Sequence, residues 1–169
     1  MGRTRRRRWV AGAAAGLVAG VGMGLVLHFG AGTMALVGAL YGRPTVLAGW
    51  VAHLINSVVF ALVFVAVVSQ PLLGDYTSRP AELVGLGAGY GAALGVLTGG
   101  VLLPLWLNAA GATELPVPLL PIPGLVAEFT FPVVLAVAHL VYGALLGAVY
   151  AAVAGTGSEP PSDETVRSW

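Results

Sequence analysis

The chain has 169 residues, of which 57% are hydrophobic and 9% charged, with a formal net charge of +1, no cysteine and no lysine. At a mean hydropathy of +0.90 it has too little polar surface to cover a soluble globule, so it belongs in a bilayer. The missing cysteines exclude a disulfide framework, a thiolate metal site and a cysteine nucleophile.

Arg3, Arg5, Arg6, Arg7 and Arg8 precede the first apolar run. A basic head of this kind opens secretory signals, and TRRRRWV has a faint twin-arginine look. The following segment nevertheless recurs later in the chain, which favours a retained helix over a cleaved leader. Residues 16–42 align without a gap on 85–111, sharing Gly16/Gly85, Leu17/Leu86, Ala19/Ala88, Gly20/Gly89, Gly22/Gly91 and Gly42/Gly111. Each copy leads into a second apolar run carrying VAHL, at 51–54 and at 137–140. The reading is an all-α bundle of four transmembrane helices, made of two parallel helix-pair repeats.

About 20 apolar residues cross the hydrocarbon core. That length places spans at 9–29, 44–68, 81–100 and 131–154. The organisation is then a basic cytoplasmic N-terminus (1–8), a first helix pair (9–68), a cytoplasmic linker (69–80), a second pair (81–154) and a disordered cytoplasmic tail (155–169). The apolar link from the first span to the second predicts a short interfacial helix or a tilted extension. Its counterpart at 101–111, with Pro104, Trp106 and Asn108, predicts the same. Pro44 fits a first helical position, and Ser78 with Glu82 offers a capping hydroxyl and an acid to the third span. Pro132 predicts a break that leaves 124–131 outside the last span.

Arginine placement sets orientation. With both termini in the cytoplasm, Arg3, Arg5 to Arg8, Arg79 and Arg167 lie inside and only Arg43 outside, as expected of a multi-pass protein of the cytoplasmic membrane. The same arginines also suit anionic lipid headgroups. The outer loop at 112–123 is proline-rich and apolar, and no segment is long enough for a soluble catalytic domain. Without a phosphate loop or a lysine, kinase, nucleotide-binding and nucleic-acid functions are excluded and no enzyme activity is expected.

Gly12, Gly16, Gly20 and Gly24 recur every fourth residue, as do Gly87, Gly91, Gly95 and Gly99, and Gly143 with Gly147. Such stripes let helix backbones approach closely in lipid. They also leave room for a homo-oligomer or a membrane-protein partner beside the bilayer itself.

His53 and His139 sit deep in the second and fourth spans, and buried ionisable groups in a bilayer are functional candidates. Asn56 and Ser57 follow His53 by three and four residues, and Tyr142 follows His139 by three, so each histidine has a polar neighbour on its own face. The candidate intramembrane site is therefore His53, Asn56, Ser57, His139 and Tyr142. Glu128 reads as an interfacial carboxylate at the outer mouth, with a water relay to the histidines as the alternative. His28 reads as interfacial. No cofactor and no metal site are expected, although two buried histidines leave bis-histidine haem ligation open as a redox reading.

The ending His139-Leu-Val-Tyr-Gly143-Ala-Leu-Leu-Gly147-Ala-Val-Tyr150-Ala151 resembles the H-x-x-x-G-x-x-x-G-x-x-Y-A ending of small uncharacterised four-helix membrane proteins of bacteria and archaea. The arginine-only, alanine- and valine-rich composition resembles haloarchaeal members. Some of these carry the automatic name histidine kinase, for which this chain has no phosphoacceptor or ATP-binding domain. The resemblance implies a four-helix membrane fold and carries no activity. Three functions follow: a paired-histidine site for a proton, ion or small molecule; an accessory subunit packing through glycine faces; or a small haem redox subunit.

Overall fold

The computed structural model describes residues 2–74, 77, 79–109 and 126–154, without the side chains of 3, 4, 104, 107, 108 and 126–130. Among these residues there is no strand. The helices are α1 (Arg3–Val26), α2 (Met34–Ala39), α3 (Val46–Val68), α4 (Pro80–Gly95), α5 (Leu103–Ala109) and α6 (Val126–Ala154). Single π-helical segments extend α1 over Leu27–Ala31 and α4 over Val96–Leu102. Four stretches are long and apolar enough to cross a membrane: Arg5–Ala31, Val46–Val68, Pro80–Leu102 and Phe131–Ala154. The molecule is an all-α, four-helix membrane bundle.

The surface of α3 shows what solvent the bundle is built for. Leu47, Val51, Ile55, Val59, Val63 and Val67 form one stripe, each between 44% and 76% exposed. The opposite stripe, Gly49, His53, Ser57 and Ala61, is buried. Branched aliphatic residues point outward and small or polar residues point inward, a pattern stable only where the surroundings are hydrocarbon.

Packing runs α3 on α1, α1 on α6 and α6 on α4, with α2 folded against α3. The ring closes between α3 and α4, where the Tyr90 hydroxyl donates to the Phe60 carbonyl at 2.8 Å and the Tyr90 and Phe64 rings lie 5.4 Å apart. Every stripe glycine named above sits against a neighbouring helix. A methyl group on Gly12, Gly16, Gly20 or Gly24 would collide with Val65, Ala61, Ser57 or Trp50 of α3. A methyl group on Gly87 would meet the Gly143 carbonyl, one on Gly91 the His139 carbonyl, and one on Gly147 the Leu83 carbonyl. Gly95 and Gly99 face His139 and Leu135. The α4–α6 contact is thus backbone on backbone, and Gly49 against Met34 does the same for α2 and α3.

The packed glycines of α4 are not the ones that the ungapped alignment pairs with α1. Gly85 and Gly89, aligned with Gly16 and Gly20, have nothing within 4 Å of an added methyl group. Gly87, Gly91 and Gly95, two residues from the aligned positions, are the ones that pack, and they do so against α6. Matching by letter selected a glycine spacing shared by both faces of α4, and only one face is packed.

Several boundaries also differ. The first helix starts at Arg3 instead of residue 9, because arginine is a good helix former and its charge needs no burial. Thr45, not Pro44, begins the second: Thr45 is the N-cap, its hydroxyl accepting from the Ala48 N–H at 3.2 Å, and Pro44 precedes it. Pro80 is the first residue of α4, with Arg79 as N-cap and Glu82 in the first turn, 3.8 Å from Arg79. Ser78 lies outside the described residues, as do the loop at 112–123 and the tail at 155–169. Short helices occupy both links, as α2 and α5. Pro132 does not break the last helix, which is continuous from Val126. Only the bond from residue 132 to the Glu128 carbonyl is lost, and it lies close enough to the helix start that the remaining turns hold.

The two faces of α4 supply a direct comparison. Gly91→Leu overpacks a backbone contact and should cost more than about 3 kcal/mol or prevent assembly, whereas Gly89→Leu, which faces open space, should change stability by less than about 0.5 kcal/mol. Thermal denaturation of the two purified variants in the same detergent measures the difference.

Candidate functional site

His53 enters the bundle on the inward stripe of α3. Its Nε2 lies 2.9 Å from the Gly20 carbonyl of α1, and a carbonyl only accepts, so Nε2 carries the proton and donates. The approach is possible because α1 offers bare backbone there. A methyl group on Gly24 would meet the rings of Trp50 and His53. One turn on, the Ser57 hydroxyl donates to the His53 carbonyl at 2.8 Å. The Ser57 carbonyl in turn accepts from the Tyr142 hydroxyl of α6 at 2.6 Å.

His139 is held differently. Its Nδ1 lies 2.8 Å from the Leu135 carbonyl one turn earlier in α6, and its Nε2 lies 2.9 Å from the Thr98 hydroxyl of α4. Thr98 stands in the π-helical segment and is also 2.7 Å from the Leu94 carbonyl. Single π-helical turns are energetically poor and gather at functional sites, because they re-aim side chains. Here the widened turn brings Thr98 to His139.

Both imidazoles line one cavity of about 160 Å³, together with Asn56, Ser57, Thr98 and Tyr142. Phe60 of α3, Gly99 and aliphatic side chains from α1, α2, α4, α5 and α6 and the segments next to them form the rest of its wall. At about 30 Å³ per water the space holds roughly five waters, well below the roughly 300–1,000 Å³ of pockets for drug-sized ligands. His53 and His139 are 6% and 5% exposed, so protein atoms cover most of each ring and little of either is open to solvent or lipid.

All five residues of the expected intramembrane site therefore line the same space, although their partners differ from a simple face-neighbour reading. Ser57 bonds the backbone of His53 and not its ring. Asn56 exchanges hydrogen bonds with Tyr41, its amide donating at 2.8 Å and its oxygen accepting at 3.0 Å. Tyr142 reaches across to α3. The Glu128 side chain lies outside the described residues. His28 stands edge-on to Phe29 at 4.8 Å, and Trp50 is placed between His28 and His53, at 6.1 and 6.2 Å from the two rings.

Thr98, Tyr41 and Tyr90 were not foreseen. For Thr98 and Tyr90 the signal exists, since they are the only hydroxyl-bearing residues between Gly85 and Gly100. Tyr41 is brought to Asn56 by the fold of the link after α2, which has no sequence signature.

Bis-histidine haem ligation needs one free nitrogen from each ring across a slot for the macrocycle. The Nε2 of His53 and both nitrogens of His139 are already engaged, and the cavity has room for a few waters. Among the described residues no group of three or more His, Cys, Asp or Glu is placed to hold a metal. No family model matches the chain, and neither a curated protein nor a solved structure is detectably similar to it.

The Tyr142–Ser57 bond ties α6 to α3 across the cavity. Interhelical bonds in lipid average about 0.6 kcal/mol and reach about 1.7. Tyr142→Phe should lose an amount in that range, seen as a lowered midpoint in steric-trap unfolding, with the fold intact.

Proposed function

We propose that this integral membrane protein handles a proton, an ion or a very small polar molecule at the cavity between His53 and His139. The observation that carries the reading is the convergence of two buried imidazoles from different helices on one small, otherwise mostly apolar cavity. Packing alone gives no reason for it, because aliphatic side chains would fill the volume without desolvating nitrogen. The proposed work is binding or passage and not chemistry on a covalent bond, and it needs no cofactor.

The duplicated origin of the two helix pairs belongs to the same proposal. It is supported by the VAHL tetrapeptides and by the matching seats of Gly16 with Gly87 and Gly20 with Gly91. For topology we propose both termini in the cytoplasm of a plasma membrane. Arg7 bonds the Val153 carbonyl at 3.4 Å, so α1 begins where α6 ends, at the end of the bundle that carries the arginine run. The positive-inside rule assigns that end to the cytoplasm.

A second reading, an accessory subunit that packs on itself or a partner, is favoured by one observation. No fully buried side-chain nitrogen or oxygen among the described residues lacks a hydrogen-bond partner. On that reading the histidines are interhelical ties only.

Reconstitution in vesicles separates the two. His53→Ala and His139→Ala should each lower histidine-dependent proton or cation flux by at least about tenfold while keeping a wild-type oligomeric profile in detergent. Loss of stability in both, with no flux in the wild type, would favour the packing module. The cysteine-free sequence makes topology equally accessible. A lone cysteine at Thr77 should be labelled by an impermeant maleimide only in opened or inverted vesicles, and one at Tyr41 from outside intact cells.

A further inference from the structure

Three polar contacts run in series through His139: Leu135 carbonyl to Nδ1 at 2.8 Å, Nε2 to the Thr98 hydroxyl at 2.9 Å, and that hydroxyl to the Leu94 carbonyl at 2.7 Å. Each needs one proton between its two heavy atoms. A neutral imidazole supplies one and the threonine hydroxyl one, so whichever tautomer forms, one contact is left with two acceptors facing each other. An imidazolium supplies two, and all three contacts are then hydrogen bonds at once. The two carbonyls at the ends of the series can only accept, so with the ring seated as it is, turning the Thr98 hydroxyl moves the shortfall along the series without removing it.

We infer that the species handled at this cavity is the proton, bound at Nε2 of His139 and signalled to α4 by rotation of the Thr98 hydroxyl. The inference rests on the reading of the cavity as a working site. The step is balanced. An N–H bond forms at Nε2 from a proton delivered through cavity water, and the ring gains one positive charge. The Thr98 O–H turns from Nε2 to the Leu94 carbonyl without breaking, and the new N–H donates to the Thr98 oxygen. Release reverses each movement.

Among the described lining residues, the titratable groups facing His139 are His53 of α3 and Tyr142 of its own helix. The lining residues of α1, α2, α4 and α5 contribute no titratable group, and no Arg, Asp or Glu lines the cavity. Tyr142 is committed to the Ser57 carbonyl, and the Nε2–H of His53 to Gly20. Two like charges in one small cavity repel, so the histidine pair takes a single proton. His53 presents its Nδ1 lone pair as the neutral partner.

The test is nitrogen-15 NMR of histidine-labelled protein in lipid vesicles, together with flux in unlabelled vesicles of the same lipid. Between about pH 8 and pH 4, the range in which histidines change charge, both ring nitrogens of His139 should pass to the imidazolium form while His53 keeps a neutral tautomer. Thr98→Val should displace that titration by at least about half a pH unit and cut pyranine-reported proton flux at least about tenfold, and Thr98→Ser should restore both. If His139 stays neutral throughout, or Thr98→Val behaves as wild type, the proton assignment is overturned. Should histidine-dependent flux of sodium, potassium or urea persist in that case, the cavity is a working site for another species. Absence of titration and of every flux would overturn both readings.

Discussion

In hydrocarbon, a leucine packed on a leucine gains little over a leucine packed on lipid, so apolar burial cannot hold this bundle together as it would in water. What remains is close approach of backbones, and glycine at every fourth position is the means. Gly87 and Gly91 of α4 lie against Gly143, Gly147 and the His139 carbonyl of α6 with no side chain between them. At that separation dispersion contacts multiply and carbonyl dipoles of one helix sit beside the Cα hydrogens of the next. The same spacing on α1, from Gly12 to Gly24, seats α3. The buried stripe of α3 can therefore carry histidine and serine where a soluble protein would need valine or leucine.

The same glycines also make the site. His53 reaches the Gly20 carbonyl because no side chain on α1 stands in its way, and Gly24 leaves the space that the Trp50 and His53 rings fill. On the other side Gly95 gives His139 its seat, where an added methyl group would lie 3.1 Å from the imidazole Cγ. Packing and polar chemistry are thus not separate layers of this molecule. A side chain introduced at Gly95 would press on the His139 imidazole, and one at Gly24 on the Trp50 ring first and the His53 ring beside it. Helix geometry adds a second device, since α1 and α4 both widen into a π-helical turn at the level of the cavity. In α4 the widened turn carries Thr98, the residue that meets His139.

How much of this was legible depends on which signal each element leaves. Apolar length located all four spans, because the bilayer imposes that length on any sequence. The glycine stripes were legible for the same reason, and all ten of their members pack. Boundaries failed where a local choice competes with a general rule: threonine capped α3 where proline also suited the turn, and Pro132 sits early enough in α6 to be absorbed. That Gly16 packs while Gly85, aligned with it by letter, does not has a similar origin. A helix with glycines on two faces cannot reveal by letters alone which face is packed. Of the site, the five polar residues were found from depth and spacing, and their partners were not. Bonds from Ser57 to a backbone carbonyl, from Asn56 to Tyr41 and from Thr98 to His139 depend on the rotation of each helix, which one sequence does not encode in any period.

Why two histidines should share so small a space follows from the cost of polar groups in lipid. A single buried imidazole needs one acceptor and leaves one lone pair, and in this bundle backbone carbonyls supply acceptors to both rings. A structure that required only helix ties would stop there, as the Tyr142 and Tyr90 hydroxyls do, each donating once to a carbonyl of α3. His139 goes further, since its second nitrogen meets a hydroxyl that already has a carbonyl partner. That arrangement holds two acceptors for one hydroxyl proton, a poor way to fasten helices and a ready one to register the arrival of another proton. Tyr142 and Tyr90 show what fastening looks like in this molecule, and His139 departs from it at one nitrogen.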